Sequence, residues 1–142
     1  MQQTLMPAIL DRKYEKFLGG PTQPSETRVH VSIDSRGVIT MNATCYKMLG
    51  KPLAANLYFS RADDMIAIEP VDSVRLPTVF PFRPNSTALY LNAAPFCRHY
   101  GIKLDSTQRF TSPEIRDGAL HLKLSDTVTI KRERRMQKKQ RG

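Results

Sequence analysis

Two stretches decide the reading of this chain: residues 38–52, VITMNATCYKMLGKP, and residues 88–103, ALYLNAAPFCRHYGIK. Laid over each other they place Asn42 on Asn92, Ala43 on Ala93 and Tyr46 on Phe96. One inserted residue then brings Leu49 onto Tyr100 and Gly50 onto Gly101. Asparagine caps a helix because its side chain accepts a hydrogen bond from an early helix amide. Glycine stops one because it takes a left-handed conformation without steric cost. Each stretch therefore predicts a short helix with both ends marked, over residues 43–49 and 93–100.

The surroundings of the two helices also match. Before the first lies RVHVSIDSRGVITM, residues 28–41, in which Val29, Val31 and Ile33 alternate with polar residues. Val38 and Ile39 resume the β pattern after Asp34-Ser35-Arg36-Gly37, so the stretch reads as a hairpin. After the first helix come β-like runs at 57–60 and 65–69, joined through 61–64 and closed by Pro70. In the second half, residues 79–82 and 88–91 flank the turn sequence Arg83-Pro84-Asn85-Ser86. Two further β-like runs, 108–111 and 119–124, lie around 113–118. Phe59 matches Phe110, and Ile66 and Ile68 match Leu120 and Leu122. Such self-similarity is the signature of a repeat. A unit of about 45 residues cannot bury a sufficient core alone. Two can shelter each other, either within one chain or by swapping between chains.

The predicted fold class is mainly β with short helices (α+β), built from two pseudo-repeated hairpin–helix–hairpin units. The tandem-repeat domain spans 28–125, as 28–70 and 76–125. An N-terminal helix within residues 1–20 precedes it, with Ile9, Leu10, Tyr14, Phe17 and Leu18 on one face. Residues 21–27 form a linker, and 126–142 a basic, disordered tail.

The chain has 142 residues and a net charge of +9. The stretch 131–142 carries Lys131, Arg132, Arg134, Arg135, Lys138, Lys139 and Arg141 against Glu133 alone, a net +6 that leaves +3 for residues 1–130. Such a tail attracts phosphates without a fold of its own. Cys45 and Cys97 make no metal spacing with His30, His99 or His121 and read as reduced, partly buried thiols. No apolar run reaches the roughly 20 residues that span a bilayer, and no apolar helix face or acylation signal accompanies the tail.

An enzymatic role is not expected. His30 and His121 alternate with apolar neighbours and should point outward. Arg98 and His99 suit the last turn of a helix, where cations complement the dipole. Asp63-Asp64 reads as a turn, and no phosphate loop or spaced nucleophile–base pair is present. No cofactor and no metal are called for. Tyr46, Tyr58, Phe59, Tyr90, Phe96 and Tyr100 sit at core-like spacing and read as packing rather than base stacking.

The string VSIDSRGVITMNATCYKMLGKP resembles the start of AbrB/SpoVT-type swapped-hairpin domains, through Asp34, Gly37, Ile39, Met41, Leu49 and Gly50. The resemblance covers 28–70, and extends to 79–124 only through the repeat; MraZ-like proteins are similar in carrying two such units. It implies a swapped-hairpin barrel and sequence-directed DNA binding by a transcriptional regulator or antitoxin in a bacterial or phage-type cytosol. The positions that could contact nucleic acid are Arg28, Arg36, Lys47 and Lys51, with Arg83, Arg98 and Lys103 from the second half. In the tail they are Lys131, Arg132, Arg134, Arg135, Lys138 and Lys139. The chain departs from the pattern in having Val38 rather than arginine after the turn glycine, Asn42 rather than proline at the helix entry, and no glycine in the second hairpin.

Two functional readings stay open. In one, hairpin-borne cations contact DNA or RNA and the tail contacts phosphates. In the other, the chain is a non-enzymatic accessory or scaffold subunit that binds a protein, and the tail gives only non-specific nucleic-acid affinity. The body is a monomeric pseudo-dimer or part of a homodimer.

Overall fold

The computed structural model describes residues 28–130. The expected N-terminal helix and linker, and the cations from Lys131 to Arg141, lie outside the described residues. Strands β1 (Val31–Ile33) and β2 (Val38–Met41) form the first hairpin. Its turn is held by Asp34, whose Oδ1 accepts from the amides of Arg36 (2.9 Å) and Val38 (3.0 Å), while the Gly37 amide donates to the Asp34 carbonyl. Helix α1 (Ala43–Met48) follows. As expected, Asn42 caps it: Oδ1 accepts from the Cys45 amide at 3.2 Å. The same oxygen accepts from the His30 amide, and Nδ2 donates to the Arg28 carbonyl. One side chain thus fixes both the helix start and the entry to β1.

Next come β3 (Ala54–Ser60) and β4 (Met65–Val71), then β5 (Phe80–Pro81), β6 (Arg83–Asn85) and β7 (Ala88–Asn92). Helix α2 (Ala94–Tyr100) ends on Gly101 in the left-handed region. Strands β8 (Gln108–Phe110), β9 (Glu114–Arg116), β10 (Ala119–Lys123) and β11 (Thr127–Thr129) complete the described residues. The described residues are mainly β, in two antiparallel sheets. One has the order β11-β8-β1-β2-β7-β6, the other β5-β3-β4-β10-β9.

Alternation within the strands builds the core. Ile33, Ile39, Met41 and Leu91 of the first sheet are fully buried, as are Ile66, Ile68, Leu120 and Leu122 of the second, all in one cluster. The helices add Cys45, Leu49, Phe96 and Cys97. Two registers pair the halves of the chain. Thr40 lies opposite Tyr90, with Ile39 on Leu91 and Met41 on Leu89 at either side. Ala67 lies opposite His121, with Ile68 on Leu120 and Ile66 on Leu122.

Several expectations are corrected. Arg83-Pro84-Asn85 is a strand, not a turn; the chain reverses at Ser86-Thr87, and Ser86 takes φ +60°. An edge position tolerates Pro84, because no outer strand needs its missing amide. Asn92 does not cap α2. Ala93 stands at that position without a side-chain bond, and Asn92 Oδ1 only accepts from the Ala94 amide at 3.4 Å. The runs 108–111 and 119–124 are not partners of each other: β8 joins β1 in the first sheet, and β10 pairs with β4 and β9 in the second. Strand β9 falls within 113–118, where no strand was expected, and is closed by Asp117-Gly118, both at positive φ. This is the Asp-Gly chemistry of a two-residue hairpin loop. Strand β11 pairs with β8, so the ordered body passes the expected boundary at 125. Tyr58 is exposed rather than packed. His30 is half-buried.

Candidate nucleic-acid interface

Residues paired directly across a ladder share a face. In the first sheet the row Val31–Met41 and the row Ile33–Ile39–Leu91 face the core. The row between them therefore faces outward. It crosses all six strands as Val128, Arg109, Ser32, Thr40, Tyr90 and Arg83. With strands about 4.8 Å apart, the two arginines stand about 19 Å from each other. Between them lie hydroxyl-bearing side chains only. No carboxylate lies in the row.

Arg36 sits at the end of this face, on the turn. Its guanidinium donates to Asp34 Oδ2 from Nη2 (2.8 Å) and Nε (3.2 Å), and the side chain remains 78% exposed. Burial opposes the ionisation of Asp34, but the amides of Val38 and Arg36 and the Arg36 guanidinium outweigh it. The carboxyl stays below its ordinary range. The acid thus fixes the turn and aims Arg36. A depression of about 650 Å³ on the sheet face is lined by Arg36, Asp34, Thr40, Asn85, Tyr90 and Asn92 among others.

The turn is locked to α2. The Gly37 carbonyl accepts from the Ala93 amide at 3.0 Å. Gly37 takes φ +88°, and a Cβ there would stand 2.9 Å from Ala94 Cα. Only glycine allows both that conformation and that approach. The docking brings Arg36 together with Arg98 of α2 and Lys103 beyond it, all three lining one cavity of about 540 Å³. Cys97 is buried beside them; burial, and then the Asp34 charge, raise its thiol above the ordinary range. Cys45 is also a free, buried thiol, pushed up to about 12 by burial.

Of the other expected contacts, Arg83 lies in the outward row, but Arg28, Lys47 and Lys51 do not line the cavity of Arg36. Lys47 ends α1, Lys51 follows its stop, and Arg28 stands ahead of β1, all exposed. Sequence reasoning missed Arg109. Its outward direction is legible from the buried Phe110 beside it, but its place next to Ser32 depends on a pairing between distant segments. It also missed Arg61, whose guanidinium lies 5.2 Å over the Tyr100 ring. Tyr100 packs on Phe59 and Phe96, and Tyr46 on Phe82, so these rings serve the body as expected.

Among the described residues no helix is long and apolar enough to cross a membrane. No protein-family model, curated protein or solved structure matches the chain.

Proposed function

We propose that this chain is a non-enzymatic, sequence-directed DNA-binding module of swapped-hairpin type, acting as a transcriptional regulator or antitoxin. The observation that carries the reading is the outward row of the six-stranded sheet, with Arg109 and Arg83 flanking Ser32, Thr40 and Tyr90. Arginine is suited to guanine edges, a hydroxyl can donate to or accept from a base edge, and a sheet face can enter a groove. Arg36, Arg98 and Lys103 then meet the flanking phosphates, and the tail from Lys131 adds affinity without specificity.

The ladder registers support the repeat behind this proposal. Equivalent residues of the halves exchange places around Thr40–Tyr90 and again around Ala67–His121, as a pseudo-twofold axis requires. The halves also trade edge partners. Strand β1 of the first half is flanked by β8 of the second, and β3 of the first by β5 of the second. On this reading one chain supplies both halves, so a monomer suffices, residing in the cytosol with the nucleoid.

The test is a duplex titration at two salt concentrations. It uses the full chain and a variant with Lys131, Arg132, Arg134, Arg135, Lys138 and Lys139 replaced by glutamine. The variant should lose affinity and part of the salt slope but keep its sequence preference. Complete loss of binding would assign nucleic-acid affinity to the tail alone. The chain would then be a protein-binding scaffold, a reading favoured by exposed Met48, Leu53, Val74 and Leu76, each more than half accessible.

A further inference from the structure

The cavity between the first turn and α2 joins the cations that the nucleic-acid reading sets against phosphates to an apolar wall that a phosphate backbone does not require. Three separate segments send cations to it: Arg36 from the turn, Arg98 from the last turn of α2, and Lys103 from the stretch after Gly101. No carboxylate lines it, and among the described residues neither Arg98 nor Lys103 makes an ion pair. The rest of the lining is largely apolar, from Ala94, Cys97, Ile102 and Leu104. Arg36 is paired with Asp34, which leaves Arg98 and Lys103 as like charges on one space that repel each other unless an anion joins them. A volume of about 540 Å³ falls within the range of small-molecule sites.

We propose that this cavity binds a small organic phosphate ester. The phosphate dianion meets Arg36, Arg98 and Lys103, and the apolar or aromatic body lies against Cys97, Ile102 and Leu104. Three cations less the Asp34 charge leave a net +2, which suits a dianion better than a carboxylate, and arginine forks pair with phosphate oxygens two at a time. Arg36 also lines the depression on the sheet face. The bound ester therefore competes with nucleic acid for Arg36; this consequence rests on the proposed function, whereas the site does not.

Phenyl phosphate is the probe, with phenol as its uncharged counterpart. The full chain is titrated at physiological ionic strength and followed by amide chemical shifts and calorimetry. Saturable shifts confined to residues 35–37, 94–98 and 101–104 are expected, with no response to phenol. Arg98→Gln and Lys103→Gln, both at exposed positions, should each weaken binding about tenfold or more while leaving the remaining spectrum in place. Unsaturable shifts spread over the basic surface would overturn the proposal, as would unchanged affinity in both variants. A parallel titration with a short DNA duplex separates the sources of phosphate. If the duplex shifts these amides and phenyl phosphate does not, the cavity belongs to the nucleic-acid interface and the proposal falls. If phenyl phosphate binds as described and no duplex binds, the site stands and the nucleic-acid reading falls.

Discussion

The outer faces of the two sheets are made by the same alternation and differ in what they display. Across the five-stranded sheet the central row reads Tyr58, Ala67, His121 and Glu114. Its acids have local partners: Tyr58 donates to Glu69 at 2.8 Å, and Arg116 pairs with Glu114 at 3.1 Å. Across the six-stranded sheet the row carries Arg109 and Arg83 with no acid between them, and Asp34 at its end is committed to Arg36. The inner faces make similar demands, since one buries Val31, Ile33, Ile39, Met41 and Leu91 completely and the other Ile66, Ile68, Leu120 and Leu122. Packing therefore does not explain the outer difference. The difference lies in the charges: one face gives its acids local partners, and the other carries Arg83 and Arg109 without an ion pair among the described residues.

The largest effect should come from breaking the support under the basic face. Gly37 and Gly118 both close hairpins at positive φ, +88° and +79°. A Cβ at Gly37 meets the backbone of Ala94, whereas at Gly118 it meets open space. Gly37→Ala should cost roughly 2–4 kcal/mol, from strain and overpacking together, and Gly118→Ala only about 1 kcal/mol. Urea unfolding midpoints check the pair. Equal costs would mean that the turn is not locked to α2.

The faces themselves come next. Arg83→Ala and Arg109→Ala should each lower affinity for a preferred duplex by about 1–3 kcal/mol and relax the preference at one base position. Arg116→Ala on the other face should leave both unchanged. Electrophoretic shift assays with mutated duplexes read the difference. A uniform loss across all sequences would reduce the two arginines to phosphate contacts.

How far the sequence carries this comparison depends on the range of each interaction. The turn at Asp34–Gly37 and the Asn42 cap are local, and the alternation through Val31, Ile33 and Ile39 points those side chains inward without further information. The pairing of β8 with β1 is not local. Nothing within residues 108–110 distinguishes that partner from β10, so Arg109 could be aimed outward but not placed on a face. Pro84 and Asn85 have turn chemistry yet form an edge strand, because pairing with β7 outweighs their own preference. Asp117-Gly118 was readable, and its hairpin with β9 was hidden by the longer match of 119–124 to the first half. The convergence of Arg36, Arg98 and Lys103 follows from the close approach of Gly37 to α2, which only the assembled chain displays.

A smaller effect isolates the acid on the basic face. The Asp34 carboxyl titrates below the 3.8 of an unperturbed group, so its stabilisation is fully present above that value and is lost as pH falls through the lower folded value. Asp34→Asn should cost about 1 kcal/mol near neutral pH, from the lost charge-assisted bonds. The gap between variant and parent should stay constant down to about pH 4 and close below it. Thermal melts across an acid series test the sign. A gap that widened on acidification would mean that the carboxyl is destabilised by folding.

The smallest effect belongs to the face whose acids have local partners. Tyr58 is 53% exposed, and its hydroxyl donates to Glu69. That bond, together with the Glu69 charge, holds the phenol above its ordinary range. Glu69→Gln removes the negative charge, so ultraviolet titration should show the Tyr58 ionisation moving down in pH. Tyr58→Phe should change stability by no more than about 0.5 kcal/mol, as exposed substitutions do. Duplex affinity should not respond to either change. If Tyr58→Phe weakened duplex binding as much as Arg83→Ala, the interface would lie on the five-stranded sheet. Arg83 and Arg109, which make no ion pair among the described residues, would then take no part in binding.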